Sequence, residues 1–167
     1  MTNEQASETK PHMTRDAIGL LTQDHRKAQA WFREFERIKD SGSPEEKFEI
    51  ARKVCGELLI HMEVEEAIFY RAVREKIGGD ELMKKAETEH KEAKRLIRHI
   101  GEIDPTHAAF VSKLTQLAEA IEGHVEEEER VMFPKALVSG IDLTALGEEL
   151  HAAKNDMRVN LGLPPEA

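Results

Sequence analysis

Four stretches of the sequence carry apolar residues at alternating spacings of three and four, and this periodicity constrains the fold more than any other feature. A helix with 3.6 residues per turn gathers such residues on one face, and that face needs a partner to bury it. No stretch shows the strict two-residue alternation of a half-buried strand. The pattern therefore predicts an all-α fold, an up-down-up-down four-helix bundle with a short extra C-terminal helix.

The inward faces and the helix bounds can be read from the sequence. The faces comprise Ile18, Leu21, His25, Ala28, Phe32 and Phe35; Ala51, Val54, Leu58, His61, Glu65, Ile68 and Ala72; Leu82, Ala86, His90, Ala93, Ile97 and Ile100; and Phe110, Leu114, Leu117, Ile121, His124, Glu128 and Val131. Capping and helix-breaking residues predict helices from 14–16 to about 39, from 43 to 77, from 80 to about 100, from 104 to a kink at Phe133-Pro134, and from 142 to 156. We expect a disordered N-terminal tail (1–13), the bundle (14–139) and a C-terminal helical extension (140–167).

The charge balance and the single cysteine exclude several classes of protein. The chain has 24 Lys and Arg against 33 Asp and Glu, a formal net charge of −9. Nucleic acids and anionic membranes need clustered cations, so we expect neither as a partner. One cysteine forms no internal disulfide, and no apolar run is long enough to span a membrane. We therefore expect a cytoplasmic protein, a monomer or a homodimer.

Every inward face is interrupted by a histidine, and two are also interrupted by a glutamate. The six residues are His25, His61, Glu65, His90, His124 and Glu128. Burying an unpaired imidazole or carboxylate costs several kcal/mol, so six of them would exceed the roughly 5–15 kcal/mol net stability of a typical domain. A single buried histidine is commonly just hydrogen-bonded. The same interruption in four helices, at similar depths from one end of the bundle, indicates a shared site.

The spacing of these residues predicts metal binding. Glu65 follows His61 by four residues and Glu128 follows His124 by four, so each pair projects from one helix face. Imidazole and carboxylate together suit Fe, Mn or Zn. Six ligands are too many for one ordinary metal ion but suit two, with two histidines on each and both glutamates bridging. That arrangement leaves room for an oxo or hydroxo bridge and for an external ligand.

The motifs around these residues resemble those of hemerythrin-like proteins of the HHE cation-binding type. The resemblance spans roughly 16–136 and rests on Asp24-His25-Arg26, on His61-Met62-Glu63-Val64-Glu65-Glu66 followed by Phe69-Tyr70, on Glu89-His90-Lys91, and on His124-Val125-Glu126-Glu127-Glu128 followed by Phe133-Pro134. It implies a non-haem di-iron centre inside a four-helix bundle that binds O2 or related small oxidants. It also implies the four histidines as terminal iron ligands and the two glutamates as bridges.

The sequence departs from the oxygen-carrying members of that family in its third helix. Those carriers have two histidines spaced by four there, whereas Ala86 and Lys94 flank His90 at that spacing. They also place an aspartate five residues after the last histidine, whereas Glu128 follows His124 by four. The iron bound by His90 is therefore expected to have an open position or another oxygen donor.

Two classes of function fit this expectation. The first is a binding protein whose iron pair meets O2, NO or peroxide in sensing, storage or scavenging. The second is a di-iron enzyme that decomposes peroxide in a catalase-like reaction or reduces NO. A helical bundle without metal is a third interpretation, and Mn or Zn could replace iron.

Other polar and aromatic residues near the motifs are expected to lie away from the site. Tyr70 follows Glu65 by five residues, which places it off the ligand face, and we expect it to serve packing. Asp24 and Glu66 are candidates to accept from an imidazole N–H, but each neighbours a ligand in sequence, and we expect both to point elsewhere. Within the acidic run 126–129, we expect only Glu128 to face inward and the others to be solvated.

Overall fold

The computed structural model describes residues 15–167, and these form helices and loops without a β-strand. The elements are α1 (Ala17–Ile38), α2 (Pro44–Val64), a π-helical segment π1 (Glu65–Tyr70), α3 (Arg71–Ile77), α4 (Asp80–Glu102), α5 (Ala108–Glu127), a second π-helical segment π2 (Glu128–Met132), α6 (Phe133–Leu137) and α7 (Leu143–Asn160). The predicted disordered tail, 1–13, lies outside the described residues.

The predicted all-α bundle is confirmed. Its four rods are α1, the continuous α2–π1–α3, α4, and the continuous α5–π2–α6. The additional helix, α7, packs against α1 and α2. None of the helices in residues 15–167 is long and apolar enough to cross a membrane.

Side-chain caps explain where several helices begin. Asp16 accepts a hydrogen bond from the Gly19 N–H at 2.8 Å, and Ser43 accepts one from the Glu46 N–H at 3.2 Å. Asp142 caps α7 in the same way. These caps satisfy N–H groups that have no partner within the helix. The fourth rod begins later than predicted, at Ala108, because Asp104 forms a turn and accepts from the Thr106 N–H instead.

The two π-helical segments change which residues face inward beyond Glu65 and Glu128. A π-helical turn contains one extra residue, so every later side chain rotates relative to an unbroken α-helix. The predicted inward residues Ile68 and Ala72 are only half-buried, and Val131 is 38% exposed. The fully buried residues are instead Phe69, Tyr70, Val73, Met132 and Phe133. The predicted inward faces of the second and fourth rods were therefore wrong for the residues that follow Glu65 and Glu128.

The core consists of two apolar clusters with the predicted site between them. One cluster contains Phe35, Leu58 and Leu117, and the other contains Leu21, Phe69 and Leu150, the last from α7. Gly147 lets α7 pack tightly against the start of α1, because a Cβ atom at this position would lie 2.7 Å from the carbonyl oxygen of Arg15. The C-terminal helix is therefore part of the core on one side of the site.

Candidate metal centre

The structure brings together all six residues that the sequence singled out. His25, His61, Glu65, His90, His124 and Glu128 are each at most 6% exposed, and Glu65 is completely buried. They come from all four rods of the bundle, one histidine from each. An apolar bundle therefore encloses a compact cluster of nitrogen and oxygen donors.

One half of this cluster contains the histidines of α1 and α2. The Nε2 atom of His25 lies 3.2 Å from Oε1 of Glu128, and Nε2 of His61 lies 3.4 Å from Oε2 of Glu65. One donor atom from each of these four residues lies within 4.8 Å of the other three. This spacing suits four ligands around a single cation.

The other half contains the histidines of α4 and α5. The Nε2 atom of His90 lies 3.2 Å from Oε1 of Glu65, and Nε2 of His124 lies 3.3 Å from Oε2 of Glu128. Glu65, His90 and His124 form a second group of donors within 4.8 Å of one another. Each glutamate thus presents one oxygen to each half, as a carboxylate between two cations must.

Unsatisfied polar atoms test whether these residues fit a metal. His25 Nε2, Glu65 Oε2 and Glu128 Oε1 are buried and have no hydrogen-bond partner in the part of the chain described. Leaving a buried polar group without a partner is costly, whereas a cation between these atoms would satisfy all three. The nitrogen and oxygen donor set also matches the preferences of iron, manganese and zinc. All three atoms belong to the half with His25 and His61, so they support one such ion there, and the second group of donors has the spacing for another.

A second set of carboxylates faces the outer nitrogen of each histidine, and we call these the outer carboxylates. The Nδ1 atoms of His25, His61, His90 and His124 lie 3.4, 3.0, 3.3 and 3.7 Å from oxygens of Glu129, Asp24, Glu66 and Glu89, respectively. Each outer carboxylate belongs to a different rod from the histidine that it faces. Carboxylates in such positions fix the orientation and tautomer of metal-binding histidines.

The expected positions of three outer carboxylates were therefore wrong. Asp24, Glu66 and Glu129 do point away from the ligand beside them in sequence, but each points toward a histidine of a neighbouring rod. The sequence contains a signal for this, since an acidic residue directly precedes His25 and His90 and directly follows Glu65 and Glu128. The signal has meaning only once the packing of the rods is known.

Tyr70 also lies at the site, contrary to the expectation that it only packs. Its hydroxyl lies 2.7 Å from Oε1 of Glu65 and 2.6 Å from Oε2 of Glu128, and these two oxygens share its one proton. The hydroxyl also lies 3.3 Å from Nε2 of His90. The extra residue of π1 rotates this side chain into the bundle. Burial and the two carboxylates raise the pKa of Tyr70 above its usual value, so the hydroxyl keeps its proton.

The electrostatics of the cluster favour positive charge. Burial alone would lower the pKa of His61 and His124, but neighbouring carboxylates outweigh it and raise these values to about 10 and about 12. Burial would raise the pKa of Glu65, and the surrounding imidazoles hold it well below its usual value. The cluster is therefore arranged to hold positive charge, and without a metal His61 and His124 hold protons.

A small cavity reaches the cluster from one side of the bundle. It is lined by all four histidines, by apolar residues that include Leu58, Met62 and Val125, and by Lys27 and Glu57 at its outer end. Its volume of about 20 Å³ is enough for one molecule the size of water. The cavity therefore admits only a very small molecule.

Comparisons with known proteins give the same family as the motifs. Residues 16–136 match the family model of the Hemerythrin HHE cation binding domain. A crystal structure of a hemerythrin HHE cation binding domain-containing protein from Mycobacterium kansasii superimposes with a TM-score of 0.72 at 21% identity, covering 87% of this chain and 88% of that one. At this identity the structural match shows a shared fold.

Two similar sequences are longer proteins. A DNA nickase of Nostoc sp. is 28% identical over 145 residues, which cover 86% of this chain and 40% of that protein. An uncharacterized hemerythrin-like protein of Schizosaccharomyces pombe is 26% identical over 124 residues, 73% of this chain and 59% of that protein. The chain thus spans about half the length of these relatives. With its motifs, its fold and its donor cluster in agreement, the chain belongs to the hemerythrin HHE cation-binding family.

Proposed function

We propose that the protein holds two non-haem iron ions between its four rods and binds O2, NO or peroxide there, in sensing, storage or scavenging. His25 and His61 would hold one ion, and His90 and His124 the other. Glu65 and Glu128 would each contribute one carboxylate oxygen to each of the two ions. Iron, when bound, supplies Lewis acidity and reversible electron transfer.

The observation that supports this proposal most strongly is that each glutamate directs one carboxylate oxygen toward each half of the cluster. Glu65 directs Oε2 toward His61 and Oε1 toward His90, and Glu128 directs Oε1 toward His25 and Oε2 toward His124. A single cation beside His25 and His61 would leave Glu65 Oε1 and Glu128 Oε2 to share the one proton of the Tyr70 hydroxyl. Two cations use all four oxygens, which supports a metal pair.

The surroundings of the cluster support a small ligand. The cavity beside the four histidines has apolar walls, which favour a neutral or weakly polar molecule over a hydrated ion. The Tyr70 hydroxyl holds a proton between Glu65 and Glu128. The chain therefore offers a ligand both space and a hydrogen-bond donor at the donor cluster.

The test is ligand-dependent absorption of the iron-loaded protein. The protein is loaded anaerobically with ferrous iron, and spectra are recorded before and after addition of O2, NO or peroxide. We expect new near-ultraviolet and visible bands with at least one of the three. A Glu63→Ala variant, altered at an exposed position, should behave as the wild type. Unchanged spectra with all three ligands, at full iron content, would contradict the proposal.

A second candidate function is catalase-like decomposition of peroxide, with NO reduction as a related alternative. The Tyr70 hydroxyl favours it, because it contacts both glutamates and would offer a hydrogen bond to a peroxide held beside them. The iron-loaded protein should then evolve more oxygen from peroxide than a His61→Ala variant at the same protein concentration. Equal evolution by the two proteins would exclude catalase-like activity.

We do not extend DNA cleavage to this chain. The relative named a DNA nickase matches over only 40% of its own length. The formal charge of −9 also gives this chain an excess of anions, which a DNA backbone repels. We propose instead a cytoplasmic setting for it, in keeping with a single cysteine that forms no internal disulfide.

A further inference from the structure

Lys154, in α7, is a buried lysine. It is 8% exposed, and its ammonium donates to Oδ1 of Asp24 and, at 2.8 Å, to Oε2 of Glu166. A buried ammonium is costly unless it is paired and hydrogen-bonded, and here two carboxylates pair it. Lys154 lies beyond residues 16–136, which match the family model. The C-terminal helix thus places a positive charge beside Asp24, one of the outer carboxylates.

A continuous chain of contacts leads from Lys154 to the donor cluster. The other oxygen of Asp24, Oδ2, lies 3.0 Å from Nδ1 of His61. The opposite nitrogen of the same ring, Nε2, lies 3.4 Å from Oε2 of Glu65. A histidine whose Nδ1–H is held by a carboxylate directs the Nε2 lone pair at a metal. The position of Asp24 therefore decides where His61 points.

We propose that Lys154 is a positioning residue, which holds Asp24 so that His61 keeps the ring orientation and tautomer that a metal requires. This inference rests on the proposed metal pair at the donor cluster. It assigns to the C-terminal helix a part in building the site, in addition to its part in the apolar core.

Glu89, an outer carboxylate in the other half of the cluster, provides an internal comparison without a paired cation. Glu89 precedes His90 as Asp24 precedes His25, and it faces Nδ1 of His124. Among residues 15–167, Glu89 forms no ion pair with a lysine or arginine within 4 Å. Its distance to the imidazole is 3.7 Å, against 3.0 Å for the carboxylate that Lys154 holds. The two remaining outer carboxylates also pair with a cation, and their distances lie between these values: 3.3 Å for Glu66, which pairs with Lys94, and 3.4 Å for Glu129, which pairs with Arg26.

The segment after α7 keeps Lys154 in place. The side-chain amide of Asn155 accepts from the Glu166 N–H at 2.8 Å and donates to the Glu166 carbonyl at 3.0 Å. The Glu166 side chain spans Lys154 and Lys27, with 2.9 Å to the latter. Glu166 is thereby fixed at its backbone and at its carboxylate, so it supplies a stable second partner for the buried ammonium.

The experiment compares Lys154→Met and Lys154→Arg with Lys27→Met, which removes the other lysine partner of Glu166. The imidazole N–H signals of the metal-free proteins are followed by ¹⁵N NMR, and Co²⁺ affinity is measured by titration. In Lys154→Met we expect a faster-exchanging His61 Nδ1–H and about 10–100-fold weaker Co²⁺ binding, with helix content unchanged. Lys154→Arg should restore both in part, and Lys27→Met should change both much less than Lys154→Met does, because Lys154 still holds Asp24 and Asn155 still fixes the Glu166 backbone.

The wild-type protein alone also tests the inference, through a comparison of His61 with His124. In the wild-type protein the Nδ1–H of His61 should exchange more slowly than that of His124. Equal exchange rates, or a Lys154→Met protein with wild-type signals and affinity, would overturn the inference. Failure of the proposed function has a different result: absent iron binding by the wild type, with the Lys154-dependent His61 signal still present.

Discussion

At the scale of single residues, Glu65 and Glu63 offer a sharp contrast. Both lie in the same motif, but Glu65 is completely buried between the histidines, while Glu63 is exposed and pairs with Lys94. Glu65→Ala should therefore lose most of the bound iron, and Glu63→Ala should keep it. Iron per chain after ferrous loading measures this, and equal content in the two variants would show that the assignment of Glu65 is incorrect.

Tyr70→Phe tests the hydrogen bonds inside the cluster. Removing the hydroxyl deprives Glu65 and Glu128 of a buried donor, which should lower the free energy of unfolding of the metal-free protein by about 1–3 kcal/mol. Urea denaturation measures the change. Loading the variant with metal should recover much of the loss, because a cation satisfies the same oxygens. A metal-free variant as stable as the wild type would contradict these contacts.

The histidines and glutamates of the cluster could be identified from the sequence because each interrupts an otherwise apolar face. The outer carboxylates could not, since they reach histidines on neighbouring rods and nothing in a single helix reveals that contact. Lys154 is a similar case. It lies in the C-terminal extension, outside the four predicted inward faces, and its partner Asp24 is 130 residues away. Periodicity identifies what faces a core, whereas contacts between rods depend on their packing.

At the scale of elements, the packing of α7 against α1 depends on Gly147. An added Cβ would lie within 2.8 Å of backbone atoms of Arg15, Asp16 and Ala17, which cannot move as a side chain can. Gly147→Ala should destabilise the metal-free protein by about 1–3 kcal/mol in urea denaturation.

Gly56→Ala is the matched control for that substitution. Gly56 lies inside α2 and a Cβ there meets nothing within 4 Å, so alanine should stabilise the helix by about 0.5–1 kcal/mol. Equal effects of the two substitutions would contradict the close approach of α7 to α1.

The π-helical segments explain why the rods were predicted well and their far ends were not. Caps and apolar spacing set the helices, and the inward face is correct as far as Glu65 and Glu128. One extra residue in each segment then turns Phe69, Tyr70 and Met132 inward. Both segments begin at the glutamate that belongs to the cluster, so the departure from α-helical geometry coincides with the site. Helical periodicity alone contains no sign of it.

At the scale of the whole molecule, stability should depend on pH in opposite ways with and without metal. In the metal-free protein the pKa of His61 is raised to about 10 and that of His124 to about 12, from an ordinary value of 6.5. Groups with a raised pKa contribute stability that is complete below about pH 6.5 and is lost as the pH rises through the folded-state value. The melting temperature of the metal-free protein should therefore fall between pH 7 and pH 10.

Metal binding reverses this dependence, because a cation displaces the protons from the imidazoles. The rise in melting temperature on loading should grow with pH from about 6 to 8, and loading should release protons into a weakly buffered solution. Scanning calorimetry with and without Co²⁺ measures both trends. A metal-free melting temperature that does not change between pH 7 and pH 10 would contradict the protonated cluster.

The most direct test of the metal pair is the amount of iron that one chain retains. Protein prepared without a histidine tag is loaded with ferrous iron, freed of excess by gel filtration, and analysed by mass spectrometry of the metal together with amino-acid analysis. Four imidazoles and two shared carboxylates predict about two iron ions for each chain. Well under one ion for each chain would mean that the cluster at the centre of the bundle does not bind iron.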